Sequence, residues 1–273
     1  MKIDRVIFTL NNNPKYVPFW NVNSYVWKHK FKIQPTLIFN GTKEELDNCS
    51  FSFEYGDYLL VDRIEDVSES SPDWSVTWAL FWAATQFPEE TCVFSGIDQI
   101  PIGNLFFEKI KEIEDEKFVV GFADAYKKYT PSTLGYFNTV TNVLYPSSHL
   151  VGKGKLFKEI FEIDDSWETE IRKVYNSKSR YHLQNNFYRG KLWGLDECYA
   201  SEKISIYNKP KMIHYLEIFW DYWFKNRIDL QSLTNNKYDL NLVKEGYYSE
   251  FTTKKFTSDK LIIDSIVDNI QEY

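Results

Sequence analysis

The sequence predicts an α/β domain with a mainly parallel central sheet flanked by helices and a C-terminal helical extension. Three observations carry the prediction. Short runs rich in β-branched and aromatic residues are apolar on both faces, as strands covered on both sides must be. The segments between them place apolar residues at helical spacing. Strand and helix alternate from the start of the chain, which is the order that builds parallel sheets.

The chain opens with a strand at Arg5–Leu10 (RVIFTL), which stops at Asn11-Asn12-Asn13-Pro14. Tyr16–Lys28 carries Phe19, Val22, Val26 and Trp27 close to helical spacing, and Pro35–Asn40 (PTLIFN) is the next strand, so a β-α-β unit comes first. Tyr58–Asp62 (YLLVD) predicts a third strand, Trp74–Gln86 a buried helix, and Thr91–Ser95 a fourth strand. Further on, Phe118–Ala125 and Gly135–Val143 predict strands. Lys155–Ile163, Ser166–Asn176 and the aromatic segment His214–Lys225 predict helices. Leu261, Ile262, Ile266 and Ile270 stand at helical spacing within Asp259–Tyr273, which predicts a docking helix. No internal repeat or Gly/Ser-rich linker divides the chain, so residues 1–273 are read as a single domain.

Ligands of such sheets bind outside the carboxyl ends of the strands. The loops after Leu10, Phe39 and Phe94 should then share one rim, where Thr9, Asn11, Asn12 and Asp98 converge.

Composition narrows the partners. A formal net charge of −7 gives no global positive field for a nucleic-acid backbone, so polymeric DNA and RNA are excluded as expected partners. Cys49, Cys92 and Cys198 are far apart and form no Cys-x-x-Cys spacing, which argues against a disulfide framework or zinc site and for a reducing compartment. MKIDRVIFTLNNN is too short in its apolar part for a signal peptide, and no apolar run approaches a membrane span. The expectation is a cytoplasmic protein without a transmembrane segment. Aromatic residues make up 18% of the chain, which serves core packing or stacking on sugars and bases.

Three stretches have the character of a site. In TCVFSGIDQIPIGN, Gly96 permits close backbone approach and Asp98 supplies a hard oxygen suited to Mg²⁺ or Mn²⁺ held with a diphosphate; a loop aspartate in a turn is the plainer reading. In YPSSHLVGKGK, small residues surround His149, and Gly152-Lys153-Gly154-Lys155 offers N–H and ammonium donors to phosphate or sugar oxygens. Its spacing is not that of a P-loop, and a solvated helix start explains it equally. In LWGLDECY, Asp196 and Glu197 stand among Trp193, Gly194 and Tyr199, where apolar surroundings raise a carboxyl toward general-base duty. A helix N-terminus, where acids favour the dipole, is the alternative.

Taken in order, VIFTLNNNPKYVPFW, TCVFSGIDQIPIGN, YPSSHLVGKGKLFKEIF and WGLDE resemble the GT-A fold glycosyltransferases, in particular small enzymes found in viruses and bacteria. The resemblance implies a nucleotide-binding part at about 1–105 and a donor-sugar and acceptor part at about 106–273. It places Thr9, Asn11, Asn12, Gly96 and Asp98 at the nucleotide and diphosphate, with Asp98 as the metal ligand. Ser147, Ser148, His149, Gly152 and Trp193 would line the donor-sugar or acceptor side, and Asp196 or Glu197 would be the catalytic base. The implied partners are a UDP- or GDP-sugar and a glycan acceptor, the implied cofactor a divalent metal, and the implied outcome inversion at the anomeric carbon. Two departures stand out. The family's metal segment usually carries two acids, whereas Gly96 stands where the first would fall; and the late histidine of many members is missing from GYYSEFTTKKF. Lys254 and Lys255 are the alternative source of positive charge. A non-catalytic carbohydrate- or nucleotide-binding protein and a sugar nucleotidyltransferase are the rival readings.

Overall fold

The computed structural model describes residues 1–64, 67, 72–124, 143–180, 194–216, 250–252, 263–264 and 266–268. Strand β1 (Arg5–Leu10) lies inside the sheet, as its two apolar faces require, with Val6, Ile7, Phe8 and Leu10 buried. It pairs in parallel with β2 (Gln34–Asn40) on one side and β4 (Thr91–Phe94) on the other. Beyond β2 lies β3 (Asp57–Val61), an edge strand in this sheet, where Tyr58 and Leu60 are exposed. Beyond β4 lie β7 (Leu150–Lys153), β6 (Phe118–Gly121) and β8 (Ile213–Leu216), giving the order β3-β2-β1-β4-β7-β6-β8. β7 is antiparallel to both of its neighbours, and the other six strands share one direction. This is the mainly parallel, helix-flanked sheet that the alternating pattern predicts.

Helices cover both faces. On one, α1 (Val17–His29) has Pro18 in its first turn, where the missing N–H costs nothing, and buries Phe19, Trp20, Val26 and Trp27. Phe8 meets Trp20 and Trp27 edge-on, each with a centroid separation of 6.1 Å. The short α4 (Leu105–Lys111) adds Phe106 and Ile110 to this core. On the other face, α3 (Pro72–Thr85) packs against α5 (Gly154–Phe161), α6 (Trp167–Asn176) and α7 (Leu195–Ile206). Trp78, Phe81, Phe94, Phe118, Phe157 and Phe161 are completely buried there. Each such side chain contributes about 2–3 kcal/mol through burial, so packing is the principal use of the aromatic residues described.

Several elements differ from expectation. His214–Leu216, predicted as the start of a helix, belongs to β8, where pairing in register with Val119–Gly121 of β6 outweighs helical periodicity. Residues 217–225 of that segment lie outside the described residues, as does the predicted strand Gly135–Val143 apart from Val143, which is not in a strand. Periodicity did not reveal α2 (Lys43–Asp47), α4, or β5 (Gln99–Pro101), which pairs with β9 (Glu250–Thr252). They are too short to establish a period. Of the tail residues predicted to dock, Ile266 is helical and buried in the α1-side core, while Leu261, Ile262 and Ile270 lie outside the described residues; Ile263, which the spacing did not select, is buried there too.

At the amino ends of the strands, the Arg5 guanidinium bonds Asp57 of β3 at 2.9 Å, Glu90 before β4 at 2.8 Å, and Thr36 of β2, and lies 3.8 Å from the Phe87 ring centre. One cation therefore ties four segments at the end of the sheet opposite the ligand rim.

Where β6 meets β7 the backbones crowd. A Cβ on Gly121 would stand 2.6 Å from the His149 carbonyl oxygen, a main-chain atom held in the ladder. Gly121→Ala should therefore cost about 1–3 kcal/mol by overpacking, measured as a lower urea midpoint with an unchanged m-value.

Candidate active site

The carboxyl ends of β1, β2, β4 and β6, together with the turn entering β7, form one rim. On β1, the Thr9 hydroxyl donates to the Val76 carbonyl at 2.6 Å, fixing the strand end to the second turn of α3. Asn11 Oδ1 accepts from the Asn13 N–H at 3.1 Å, and Asn13 Oδ1 accepts from Lys15 N–H, so these side chains build the turn into α1. Asn12 Nδ2 donates to Glu45 at 2.9 Å. Glu45 also completes the capping box of α2 with Thr42 and lies 3.4 Å from Arg63. All three predicted residues, Thr9, Asn11 and Asn12, are thus at the rim, and their hydrogen bonds shape it.

At the end of β4, Ser95 N–H extends the pairing with β1 by donating to the Ile7 carbonyl at 3.2 Å, and the chain then turns. Gly96 N–H donates to Gln99 Oε1 at 2.9 Å. A Cβ on residue 96 would meet that amide oxygen at 2.8 Å and Asp98 Oδ1 at 3.2 Å. The position where a first acid would stand is therefore filled by Gln99. Gly96 does not have a positive φ, so close approach rather than backbone freedom explains the glycine. Buried Asn23 of α1 holds the same turn by donating to the Ile97 carbonyl at 2.8 Å. Asp98 is half-buried beside it. Among the described residues no group of three His, Cys, Asp or Glu stands together to hold a metal ion, so Asp98 would have to share a divalent cation with a bound diphosphate.

The YPSSHLVGKGK stretch divides. Ser147 and Ser148 are half-buried at the rim, and His149 N–H donates to the Phe94 carbonyl at 2.9 Å as β7 begins. Gly152 does not reach the rim. It pairs with Cys92 in mid-sheet and packs against Phe118, about 7 Å below the strand end at 3.4 Å per residue. Nor is Gly-Lys-Gly-Lys a phosphate loop. Gly154 N–H and Lys155 N–H donate to the Glu90 and Pro88 carbonyls, and Lys155 Nζ pairs with Glu89 at 2.8 Å, all at the opposite end of the sheet.

The acid pair occupies the first turn of α7, whose cap is Gly194 in the left-handed region at φ 80°. Asp196 is 5% exposed. Burial pushes its carboxyl up to about 6, against the backbone N–H groups of Glu197 and Asp196 and the hydroxyls of Ser147 and Thr77, which favour the charged form. Glu197 is half-buried, and its Oε1 accepts from Ser147 N–H at 3.4 Å. A helix N-terminus and a perturbed acid are therefore both present, and a carboxyl titrating near neutrality is suited to acid–base chemistry. Burial and the neighbouring acids push the Cys198 thiol up, which leaves it unreactive. Trp193, Lys254 and Lys255 lie outside the described residues.

Sequence reasoning missed Thr77 and the turn after β6. Phe122 (φ 56°) and His149 (φ 64°) are both left-handed, their rings 4.6 Å apart at the rim, with Asp124 following. Histidine is among the residue types enriched in this region, whereas a bulky phenylalanine is an outlier there, and strain of this kind collects at functional sites. Thr77 did leave a signal: it is a polar residue in the otherwise apolar segment Val76–Ala84.

No protein-family model and no curated protein matches the chain. Among solved structures, the chain is similar to glycosyltransferases. One is GlyE of Streptococcus pneumoniae TIGR4, at 12% identity and TM-score 0.46, covering 92% of this chain and 54% of that one, so the chain spans about half of GlyE. Another is the galactosyltransferase LgtC in complex with donor and acceptor sugar analogues, at 9% identity and TM-score 0.46, covering 98% and 95%. A third is mouse xyloside xylosyltransferase 1, at 9% identity and TM-score 0.35, covering 93% and 98%. At these TM-scores the likeness assigns no donor, acceptor or residue role.

Because its folded pKa is raised, Asp196 supports the fold best below its unfolded value near 3.9, and that support is lost as pH rises through about 6. Against Asp196→Asn, the native protein should lose about 2–3 kcal/mol of relative stability between pH 4 and pH 8. Urea melts of both proteins across that range measure it.

Proposed function

We propose that the chain transfers a sugar from a nucleotide-diphosphate donor, UDP- or GDP-linked, to a hydroxyl of a glycan acceptor. The observation that supports it most is the convergence at one sheet rim of the Thr9–Asn12 loop, the Asp98 turn and the Asp196–Glu197 pair. A nucleotide laid across β1 and β4 directs its diphosphate toward Asp98 and its sugar toward half-buried Ser147 and Ser148, next to which His149 is itself buried. Glu197, half-buried on the first turn of α7, is the base of this reading: it takes the acceptor proton as the oxygen attacks the anomeric carbon and the diphosphate departs. Glu197 as base, with Asp196 buried and no other nucleophile beside it among the described residues of α7 but the unreactive Cys198, predicts inversion.

Charge on the leaving diphosphate is the open requirement of the chemistry. A divalent ion would draw on Asp98 and the diphosphate itself, and no step here depends on one. Lys254 and Lys255 are the metal-free source; they follow β9 in sequence, and Thr252 of β9 pairs with Gln99, next to Asp98. The cytoplasmic setting belongs to the same proposal. It is supported by three free cysteines and by the lack, among the described residues, of any helix long and apolar enough to cross a membrane. One observation favours a non-catalytic binding protein instead: Gln99 fills the space of the first acid.

Thermal-shift measurements with UDP, GDP and their sugar conjugates, with and without Mn²⁺, followed by transfer to oligosaccharides, test the proposal. One nucleotide should raise the melting temperature, and Asp98→Ala should weaken that shift. Glu197→Gln should bind donor normally while turning over about 100-fold more slowly, the usual worth of a general base. Binding without transfer would favour the non-catalytic protein. Pyrophosphate release from a nucleoside triphosphate would replace the proposal with nucleotidyl transfer.

A further inference from the structure

Thr77 lies on α3, outside every stretch that the sequence marks as a site. Its hydroxyl donates to the buried Asp196 carboxylate, which the Ser147 hydroxyl also meets, while Ser147 N–H bonds Glu197 at 3.4 Å. One residue earlier, the Val76 carbonyl accepts from Thr9 at 2.6 Å. The second turn of α3 thus links the end of β1 to the first turn of α7, and Asp196 is the joint. Asp196 is too buried to meet an acceptor directly, and its neighbour Glu197 inherits whatever orientation this joint imposes on the helix.

We propose that Thr77 is a positioning residue: clasping Asp196 together with Ser147, it fixes the first turn of α7 and so aims Glu197 at the rim. Among the titratable groups near this turn are Glu197, Cys198 and Glu202, all on α7, with Asp98, Asp124 and His149 elsewhere on the rim; the side chains that bond Asp196 from α3 and from the turn before β7 are neutral hydroxyls. A neutral donor to a carboxylate matters most when the carboxylate is charged. The clasp should therefore tighten as Asp196 ionises, which a purely steric role for the threonine methyl would not do.

The test uses Thr77→Val, which keeps the shape and removes the hydroxyl, and Thr77→Ser, which keeps the hydroxyl and removes the methyl. In the full chain, Thr77→Val should lower the melting temperature more at pH 8 than at pH 5, with the change centred near the Asp196 titration. Thr77→Ser should track the native pH dependence. A deficit that is the same at all pH values, or a serine variant as impaired as valine, would overturn the clasp.

The kinetic arm rests on the glycosyltransferase reading. With a competent donor, Thr77→Val should lose about tenfold in kcat at unchanged donor KM, one charge-assisted hydrogen bond's worth, and Thr77→Ser should restore it. A change in KM alone would remove the positioning role. Should no donor turn over, the glycosyl-transfer reading fails while the melting experiment still decides the clasp.

Discussion

Strand β7 has to satisfy two neighbours at once, and the rest of the molecule follows from its doing so. Its antiparallel pairing to β4 and β6 joins the β1–β4 half of the sheet to β6 and β8. Because β7 runs against them, its start lies at their carboxyl ends. The residues just before it, Ser147 and Ser148, are therefore delivered to the ligand rim, while Gly152 and the lysines after it are carried to the opposite end. The direction of one four-residue strand decides which part of YPSSHLVGKGK reaches the rim. Tyr145 N–H donating to Ser201 Oγ at 2.8 Å then anchors the approach to this strand against α7.

That geometry explains how a carboxyl can be buried at the start of α7. An isolated ionised carboxylate in an apolar interior is prohibitively costly, and only matched donors make it tolerable. Asp196 has two backbone N–H groups of its own helix and two hydroxyls brought by other elements. They do not fully offset desolvation, which is why the carboxyl titrates near 6 rather than in the usual range. The contrast with Arg5 is instructive. Its guanidinium is equally enclosed, but it faces two carboxylates and stays charged, so the amino ends of the strands carry a permanent cross-tie and the rim carries a titratable one.

How much of this was legible in the sequence depends on the range of the interaction. Strands β1, β2 and β4 were readable because burial on both faces leaves a continuous apolar run, β3 because its short apolar run survives at an exposed edge, and α1 and α6 because their periods extend over ten residues or more. Asp98 and the acid pair were readable because each interrupts an apolar context. β8 was read as helix because its identity comes from a partner strand some ninety positions earlier, not from local spacing. Gly152 and Gly154 were assigned to a ligand loop because glycine is ambiguous: here both make room for packing, Gly152 for Phe118 and Gly154 for the Ala84 and Phe87 carbonyls. Thr77 needed the fold, since only packing brings α3 and α7 together.

The Gly96–Gln99 pair bears on the chemistry in a similar way. An aspartate at 96 would meet the Gln99 amide oxygen, which accepts from the turn's own backbone at 2.9 Å, so that flexible side chain would have to swing aside and give up its bond. The turn is thus braced by its own side chain. Asn23, reaching from α1 to the Ile97 carbonyl, adds a second brace. Asp98 itself stands next to the β5–β9 ladder, in which Gln99 pairs with Thr252, so the turn is tied to a second, two-stranded sheet as well as to α1.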